Sequence, residues 1–383
     1  MAALRRAQSC APDPRDAVRE FHASVSQPDT ALVIFFCSSE YDLDALADEM
    51  ERAFAGIQVV GCTTAGEIGP SGCRDHSLTG VGFPADSFSA SSGLIDGLQD
   101  FQSGQGDSLV QDLLQQLESI EPASDAENTF AFLLIDGLSM REEPVTSALQ
   151  NALGKVPLVG GSAGDGVAFG TTHVYFGGRF HADSAVLLLV TTALPFHVFK
   201  TQHFVPTEQR IVVTGADAAH RIVSELDGWP AVEAYARLAG ASVQDLDPAH
   251  FAASPVVVLI DGTNYVRSIQ KANPDGSLTF FCAIEEGVVL RVGRGVDLEE
   301  NLKQAFDGIR ATMGVPQLVL GCDCILRKLE IAQSGLVGRV AEVFRDNNVT
   351  GFNTYGEQYH GVHVNQTLTG IAIGNAPAEP EDE

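Results

Sequence analysis

Residues 61–67 read Gly-Cys-Thr-Thr-Ala-Gly-Glu and residues 351–357 read Gly-Phe-Asn-Thr-Tyr-Gly-Glu, so both stretches contain the pattern G-x-x-T-x-G-E. Ten residues after each glutamate a second match begins, with Ser-Leu-Thr-Gly-Val at 77–81 and Thr-Leu-Thr-Gly-Ile at 367–371. One offset, 351 minus 61 or 290 residues, relates every matched position. Agreement at this many positions with one spacing predicts related structural units near the two ends of the chain.

The sequence around each match supports a repeated unit. The first motif follows an apolar run at 32–36, a helical pattern at 43–54 and a short apolar run at 57–60. A looser copy has an apolar run at 130–135, a helical segment at 142–153 and a glycine-rich turn at 160–166, and the last copy starts at 318–320. Strand, helix, strand and glycine turn therefore recur, which predicts an α/β fold with helix-covered sheets.

Composition excludes several classes of protein. The 383 residues include 50 acidic and 23 basic side chains, giving a formal charge of −27. Phosphate contacts need concentrated positive charge, so this balance argues against binding to nucleic acid or to anionic membranes. No apolar run reaches the roughly 18–20 residues of a membrane span, no secretory signal is visible, and the cysteine count of seven is odd. These features favour a cytoplasmic protein with reduced thiols.

Length favours two domains, at roughly 100–200 residues per domain. The turn residues Asp227-Gly228-Trp229-Pro230 provide the best boundary. We therefore expect an N-terminal domain at 1–226, a C-terminal domain at 227–374 and a disordered tail of proline and acidic residues at 375–383.

Motifs of known enzyme classes are missing, and we expect a protein that is not an enzyme. The chain lacks G-x-x-x-x-G-K-[ST], H-E-x-x-H and G-x-S-x-G. Cys322 and Cys324 form a C-x-C motif close to Arg327 and Lys328. Nearby cations lower thiol pKa values, so this pair is a candidate redox-responsive dithiol, although buried cysteines are commonly inert.

Two groups of histidines are candidates for ligand binding. Strict alternation over 197–206 would place His197 and His203 on one face of a strand. His360 and His363 follow the second motif, beside Tyr359, and the 290-residue offset aligns the two histidines with Pro70 and Cys73. The repeated scaffold therefore does not require them. Hydrogen-bonded structural residues and metal or haem ligands both remain open interpretations for these rings.

The quoted motifs resemble the FIST sensory proteins, in which an N-terminal FIST domain is joined to a smaller C-terminal one. The likeness runs from about residue 31 to residue 373 and rests on 59–68, 159–165 and 351–357 followed by 365–367. The stretches 35–39, 201–207, 321–324 and 355–359 with 363–366 are similar to a narrower, haem-binding and nitric-oxide-sensing branch, often called NosP.

This resemblance implies non-covalent haem b held through a histidine, a ferrous iron that binds nitric oxide, and control of a separate histidine kinase or cyclic-di-GMP enzyme. His203 lies in the stretch 201–207, which is specific to the narrower branch, and is the first choice for the iron ligand, with His363 as second choice. Tyr359 and His360 are candidate pocket residues. Self-association is left open.

A rival interpretation, taken from the wider family, is a haem-free module that binds a small polar molecule such as an amino acid. Its ligand would contact the glycine turns together with Thr64, Thr354, Glu67 and Glu357. In that case these residues would matter for binding and His203 would not.

Overall fold

The structure, a computed structural model, describes residues 3–260 and 262–376, without the side chains of residues 248 and 249. Most of the predicted acidic tail, residues 377–383, lies outside the described residues. Within the described part of the chain, no helix is both long enough and apolar enough to cross a membrane.

Three repeats with one order of elements form most of the molecule. The first contains β1 (Arg5–Ser9), α1 (Pro14–Val25), β2 (Thr30–Ser38), α2 (Leu43–Ala53), β3 (Gln58–Thr64), β4 (Glu67–Gly69), β5 (Gly72–Arg74) and β6 (Leu78–Pro84). The second contains β7 (Phe88–Asp96), α3 (Ser103–Ile120), β8 (Thr129–Ile135), α4 (Glu142–Leu153), β9 (Leu158–Ser162), β10 (Val174–Phe176), β11 (Arg179–His181) and β12 (Ser184–Thr192). The predicted recurring unit is thus present, including its looser copy.

The third repeat is interrupted after its first strand, β13 (Phe196–Thr201). The insertion contains β14 (Phe204–Pro206), β15 (Ile211–Asp217), β16 (Ile222–Leu226), β17 (Trp229–Pro230), α5 (Ala231–Ala239), α6 (Pro248–Ala253), β18 (Val256–Ile260), β19 (Thr263–Arg267), β20 (Ile269–Ala272), β21 (Leu278–Phe280) and β22 (Val289–Gly295). The repeat then resumes with α7 (Leu298–Met313), β23 (Leu318–Cys324), α8 (Ile325–Gln333), α9 (Val337–Asp346), β24 (Val349–Thr354), β25 (Glu357–Tyr359), β26 (Val362–Val364) and β27 (Leu368–Ile373).

Each repeat gives a hairpin to the sheet of another repeat. The three six-stranded sheets have the orders β1-β6-β2-β3-β10-β11, β7-β12-β8-β9-β25-β26 and β13-β27-β23-β24-β4-β5. The hairpin β4–β5 of the first repeat joins the third sheet, β10–β11 of the second joins the first sheet, and β25–β26 of the third joins the second sheet. The exchange closes a ring in which every sheet holds strands from two repeats.

The centre of each sheet is a parallel pair, β2 with β3, β8 with β9, and β23 with β24. A large apolar cluster lies between the sheets and takes side chains from all three, among them Phe36, Phe132 and Phe352. The rings of Phe36 and Phe352 stack with centroids 4.5 Å apart. Such pairs contribute beyond the area that they bury, so this contact ties the first repeat to the third.

The start of α1 is set by the residues next to it in the sequence. Asp13 caps α1 by accepting hydrogen bonds from the backbone N–H groups of Arg15 and Asp16, and Pro14 occupies the first turn. One face of α1 is fully buried against β1 and β6, which explains the helical spacing of Val18 and Phe21.

The insertion between β13 and α7 forms an antiparallel nine-stranded sheet with a separate apolar core. The predicted boundary at 226/227 falls between β16 and β17, which pair with each other inside this sheet. The third repeat takes β13 from one side of the insertion and its other elements from the far side, and the domain ranges 1–226 and 227–374 stay a prediction.

Candidate functional site

The glycine turns that follow β3, β9 and β24 meet at one point. Each turn hydrogen-bonds to another through the backbone: Ala65 N–H to the Asn353 carbonyl (2.9 Å), Gly164 N–H to the Thr63 carbonyl (3.0 Å) and Tyr355 N–H to the Ser162 carbonyl (3.2 Å). The carboxyl ends of the three parallel pairs are thus brought together. In sheets of this kind, ligands bind beyond the carboxyl ends of the strands.

The threonine and glutamate of the first motif form an internal hydrogen-bond network. Glu67 accepts the hydroxyl hydrogen of Thr64 on one oxygen and the backbone N–H (2.9 Å) and hydroxyl (2.8 Å) of Ser77 on the other. Burial raises the pKa of Glu67 to about 7, against the lowering effect of these donors. The spacing of ten residues between Glu67 and Ser77, which the second motif shares, therefore has a structural cause.

The second motif repeats the same network. Glu357 accepts from the Thr354 hydroxyl and from the N–H (3.2 Å) and hydroxyl (2.6 Å) of Thr367, and burial raises its pKa to about 8. All three side chains are buried. The rival interpretation assigns ligand contacts to these motif residues. In the structure their oxygens bind one another and brace the turns, and Thr64 and Glu67 also line the cleft described next.

A cleft of about 340 Å³ opens at the meeting point of the turns. All three repeats line it: Ser38, Ser39, Glu40, Thr64, Ala65, Gly66, Glu67, Asp75 and His76 from the first, 165–168 from the second, and Ile325, Lys328 and Leu329 from the third. Its volume lies in the range of small-molecule sites, roughly 300–1,000 Å³. We call it the central cleft.

Lys328 lies in the first turn of α8 and is the one lysine among the described residues that line the cleft. The Nζ atom donates to the carbonyl oxygen of Ala65 (2.6 Å) and forms a close ion pair with Asp75. Both side chains remain partly accessible, at 29% for Lys328 and 61% for Asp75. An ion pair as exposed as this contributes little to stability, so a ligand can replace it at low cost.

Loop 165–171 forms one wall of the cleft. The carboxylate of Asp165 accepts hydrogen bonds from the backbone N–H groups of Phe169 (2.9 Å), Gly170 (2.7 Å) and Thr171 (2.8 Å), and also from the hydroxyl of Tyr355. The ring of Phe169 stacks on that of Tyr355 at 4.6 Å. Asp165 therefore organises the loop, and its oxygens have no lone pair to spare for chemistry on a substrate.

His203, the first choice for an iron ligand, lies outside the central cleft. β13 ends at Thr201, so His203 belongs to the short connection into the insertion and not to the predicted alternating strand. Its ring is buried, with Nε2 2.9 Å from Glu330 Oε1 and Nδ1 3.4 Å from an Arg327 nitrogen. Arg327 in turn donates to Asp323 at 2.7 Å. Both ring nitrogens are engaged, and the ring connects α8 to the insertion.

His363, the second choice, is buried near the insertion. Burial lowers its pKa to about 4, although Glu143 and the Phe281 carbonyl favour the protonated ring. The Nε2 atom makes no well-formed hydrogen bond, and Nδ1 has only a long contact of 3.5 Å with Gln358. A Cβ atom at Gly356 would lie 2.7 Å from Nε2, so the backbone closely approaches this nitrogen.

Tyr359 and His360 lie at the turn of the β25–β26 hairpin, with ring centroids 4.4 Å apart. They line neither the central cleft nor the wall formed by loop 165–171. In the parts of the chain that the structure describes, no group of three or more His, Cys, Asp or Glu side chains is placed to hold a metal ion.

The thiols of Cys322 and Cys324 are both buried, and their pKa values are raised well above the usual range. This is opposite to the lowering expected from the adjacent cations. Arg327 is committed to Asp323 and Lys328 to Asp75, so desolvation dominates at both thiols. Their redox activity stays a prediction.

Sequence reasoning missed the cleft residues that are outside the motifs. Ser38 is the last residue of β2 and Ser39 follows it, and Lys328 lies four residues after the end of β23. Their position at the carboxyl ends of two predicted parallel strands is the feature that could have identified them.

Two family models match the chain. A FIST N domain model matches residues 31–229 and a FIST C domain model matches residues 231–360. No curated protein matches. Among solved structures, the cyanuric acid hydrolase from A. caulinodans is 8% identical with a TM-score of 0.38, covering 98% of this chain and 100% of that one. A second cyanuric acid hydrolase structure is 8% identical with a TM-score of 0.37, covering 97% and 99%.

Proposed function

Because the chain belongs to the FIST family, whose domains are sensory modules of signal transduction that bind small ligands, we propose that it senses a small polar molecule of the amino-acid class in the central cleft. The role is binding and not catalysis. The read-out is a separate cytoplasmic signalling protein, such as a histidine kinase or a cyclic-di-GMP enzyme.

The observation that carries this proposal is the composition of the cleft wall, to which all three repeats contribute. A ligand that contacts Ser38 on the first repeat, loop 165–168 on the second and Lys328 on the third stabilises one relative placement of the repeats. A ligand shifts a conformational equilibrium only through its different affinities for the two states, and such a shared site provides that difference.

α8 offers a path from the cleft to the insertion. Lys328 and Leu329 face the cleft, whereas Arg327 and Glu330 on the same helix contact His203 in the connection to the insertion. A movement of α8 on ligand binding would therefore reach the insertion directly. A coupling of about 1–3 kcal/mol is typical of such regulation.

Titration calorimetry with a panel of amino acids tests the proposal. We expect saturable one-to-one binding by at least one member, and Lys328→Met is expected to weaken it at least tenfold. Lys303→Met removes the same charge from a half-exposed position on α7, outside the cleft; it serves as the control and should leave the affinity unchanged. Absence of binding by every member, or equal effects of the two variants, would contradict the proposal.

A second candidate function is the haem-based sensing of nitric oxide, and one specific observation favours it. The buried Nε2 of His363 makes no well-formed hydrogen bond, and a ring nitrogen that is not committed to a partner is what an iron ligand requires. His203 does not meet this requirement, because Glu330 and Arg327 engage both of its nitrogens. We therefore move the proposed ligand from His203 to His363. Haem, when bound, would supply a ferrous iron with a position open to nitric oxide.

Visible spectra of the purified protein with added haem test this candidate. A saturable one-to-one Soret band that shifts with nitric oxide, and that His363→Ala abolishes while His203→Gln retains, would support it. Loss of the band in His203→Gln alone would restore the first choice, and the lack of any saturable band would exclude haem sensing.

A further inference from the structure

A second groove, of about 180 Å³, adjoins the central cleft between α8, α9 and β5. Its walls are mainly apolar and include Ile331, Val337, Val340 and Phe344, with the buried Asp323 and Asn353 at its base. Asp323 is bonded to Arg327 and Asn353, so the polar groups of the base already have partners. We call this space the apolar groove.

The central cleft and the apolar groove share one wall, the ion pair between Lys328 and Asp75. Both side chains line both spaces. Because the pair is partly exposed, its two ends can separate around a ligand without leaving a buried charge unpaired.

We propose that the ligand is an amino acid with a large apolar side chain, whose charged head group inserts between Lys328 and Asp75 and whose side chain occupies the apolar groove. This inference rests on the proposed function and adds the class of side chain. The α-carboxylate pairs with Lys328 and the α-ammonium pairs with Asp75, so one internal ion pair is replaced by two of the same kind.

Charge and shape both favour this class. Asp75 is the ion-pair partner of Lys328, so a ligand with a carboxylate and no ammonium group would leave Asp75 without a cation. An acidic side chain would lose its hydration against the apolar walls of the groove, a cost that Arg74 in the lining offsets only in part. Val337, 47% exposed at the groove, leaves apolar surface in water that an aliphatic or aromatic side chain would cover.

The selectivity expected from this groove is large enough to measure. Full burial of a side chain of the size of leucine favours binding by roughly 10- to 100-fold over glycine, which has the same head group and no side chain. Glutamate should bind more weakly than leucine, because its side-chain carboxylate would lose water against the apolar walls of the groove.

The experiment is titration calorimetry of the full chain with glycine, leucine, phenylalanine and glutamate. Val337→Asp places a charge at the groove, and because residue 337 opens α9, an aspartate there suits the helix N-terminus and the variant should fold. The matched control is Val315→Asp, since Val315 is similarly exposed (51%) and lines neither space.

We expect leucine or phenylalanine to bind the wild-type protein at least about tenfold more tightly than glycine does. Val337→Asp should reduce this ratio of affinities, and Val315→Asp should leave it unchanged. If glycine or glutamate binds as tightly as leucine, or if both variants keep the ratio, the apolar-groove assignment is overturned and the proposed function stands. If no amino acid binds, both are overturned.

Discussion

Replacing Glu67 by Gln is expected to remove part of the pH dependence of the protein's stability. The carboxyl is buried, and its pKa is raised from 4.5 to about 7. The folded state therefore holds a proton that the unfolded chain releases. Stability from this group is present below about pH 4.5, falls as the pH rises through about 7, and stays at its lower value above that.

The magnitude follows from the shift. One pKa unit corresponds to about 1.4 kcal/mol, so the full effect of Glu67 is roughly 3 kcal/mol, of which roughly 2 kcal/mol lies between about pH 5.5 and about pH 8.5. Glutamine resembles the protonated carboxyl. Its oxygen can accept from the N–H and hydroxyl of Ser77, and its amide group can donate to the Thr64 hydroxyl oxygen.

Urea unfolding followed by circular dichroism at several pH values measures the difference. Glu67→Gln should match wild type near pH 5 and be more stable by roughly 2–3 kcal/mol near pH 8.5. The control Glu118→Gln removes an exposed carboxylate from α3 and should lose stability with pH as wild type does. Parallel pH profiles for wild type and Glu67→Gln would refute the reasoning.

Gly351→Ala should lower the free energy of unfolding by about 4 kcal/mol or more, or prevent folding, because the added Cβ would overlap the carbonyl oxygen of Gly321 across the β23–β24 pair. The control Gly104→Ala, with open space around the added Cβ, should be neutral. Equal thermal melting temperatures of the two variants would contradict this prediction. With a thiol reagent such as Ellman's, the exposed Cys10 should react at once and the buried Cys322 only on unfolding, as measured by mass spectrometry of labelled peptides; rapid native labelling of Cys322 would contradict its burial and revive the redox prediction.

Much of the fold could be predicted because the repeats encode it locally. Apolar runs such as 32–36 and 130–135, the cap at Asp13 and the paired motifs each specify an element from adjacent residues. The exchange of hairpins could not be predicted in this way. A three-residue strand such as β4 (Glu67–Gly69) carries no local information about which sheet it joins, and its partner β24 is almost 300 residues away, as 351 minus 68 is 283.

The site was predicted less well, and the reason differs from residue to residue. The chain contains ten histidines, and the sequence around His203 does not predict its contact with Glu330, which lies 127 residues away. The resemblance to a haem-binding branch selected the ring by its neighbours in sequence, whereas the free nitrogen of His363 is visible only in three dimensions. The sequence around Lys328 predicts an effect on the nearby thiols but not its ion pair with Asp75, because Asp75 belongs to another repeat.

The exchanged hairpins also set an order of events for a chain that is being synthesised. β4–β5 leaves the ribosome early but has no sheet to join until β24 at 349–354 follows, and the edge of β9 stays open until β25 arrives at 357–359. Contacts between such distant segments form late and leave strand edges exposed meanwhile. For most of its synthesis the nascent protein therefore carries unpaired edges, and the last strands of the described chain complete two sheets at once.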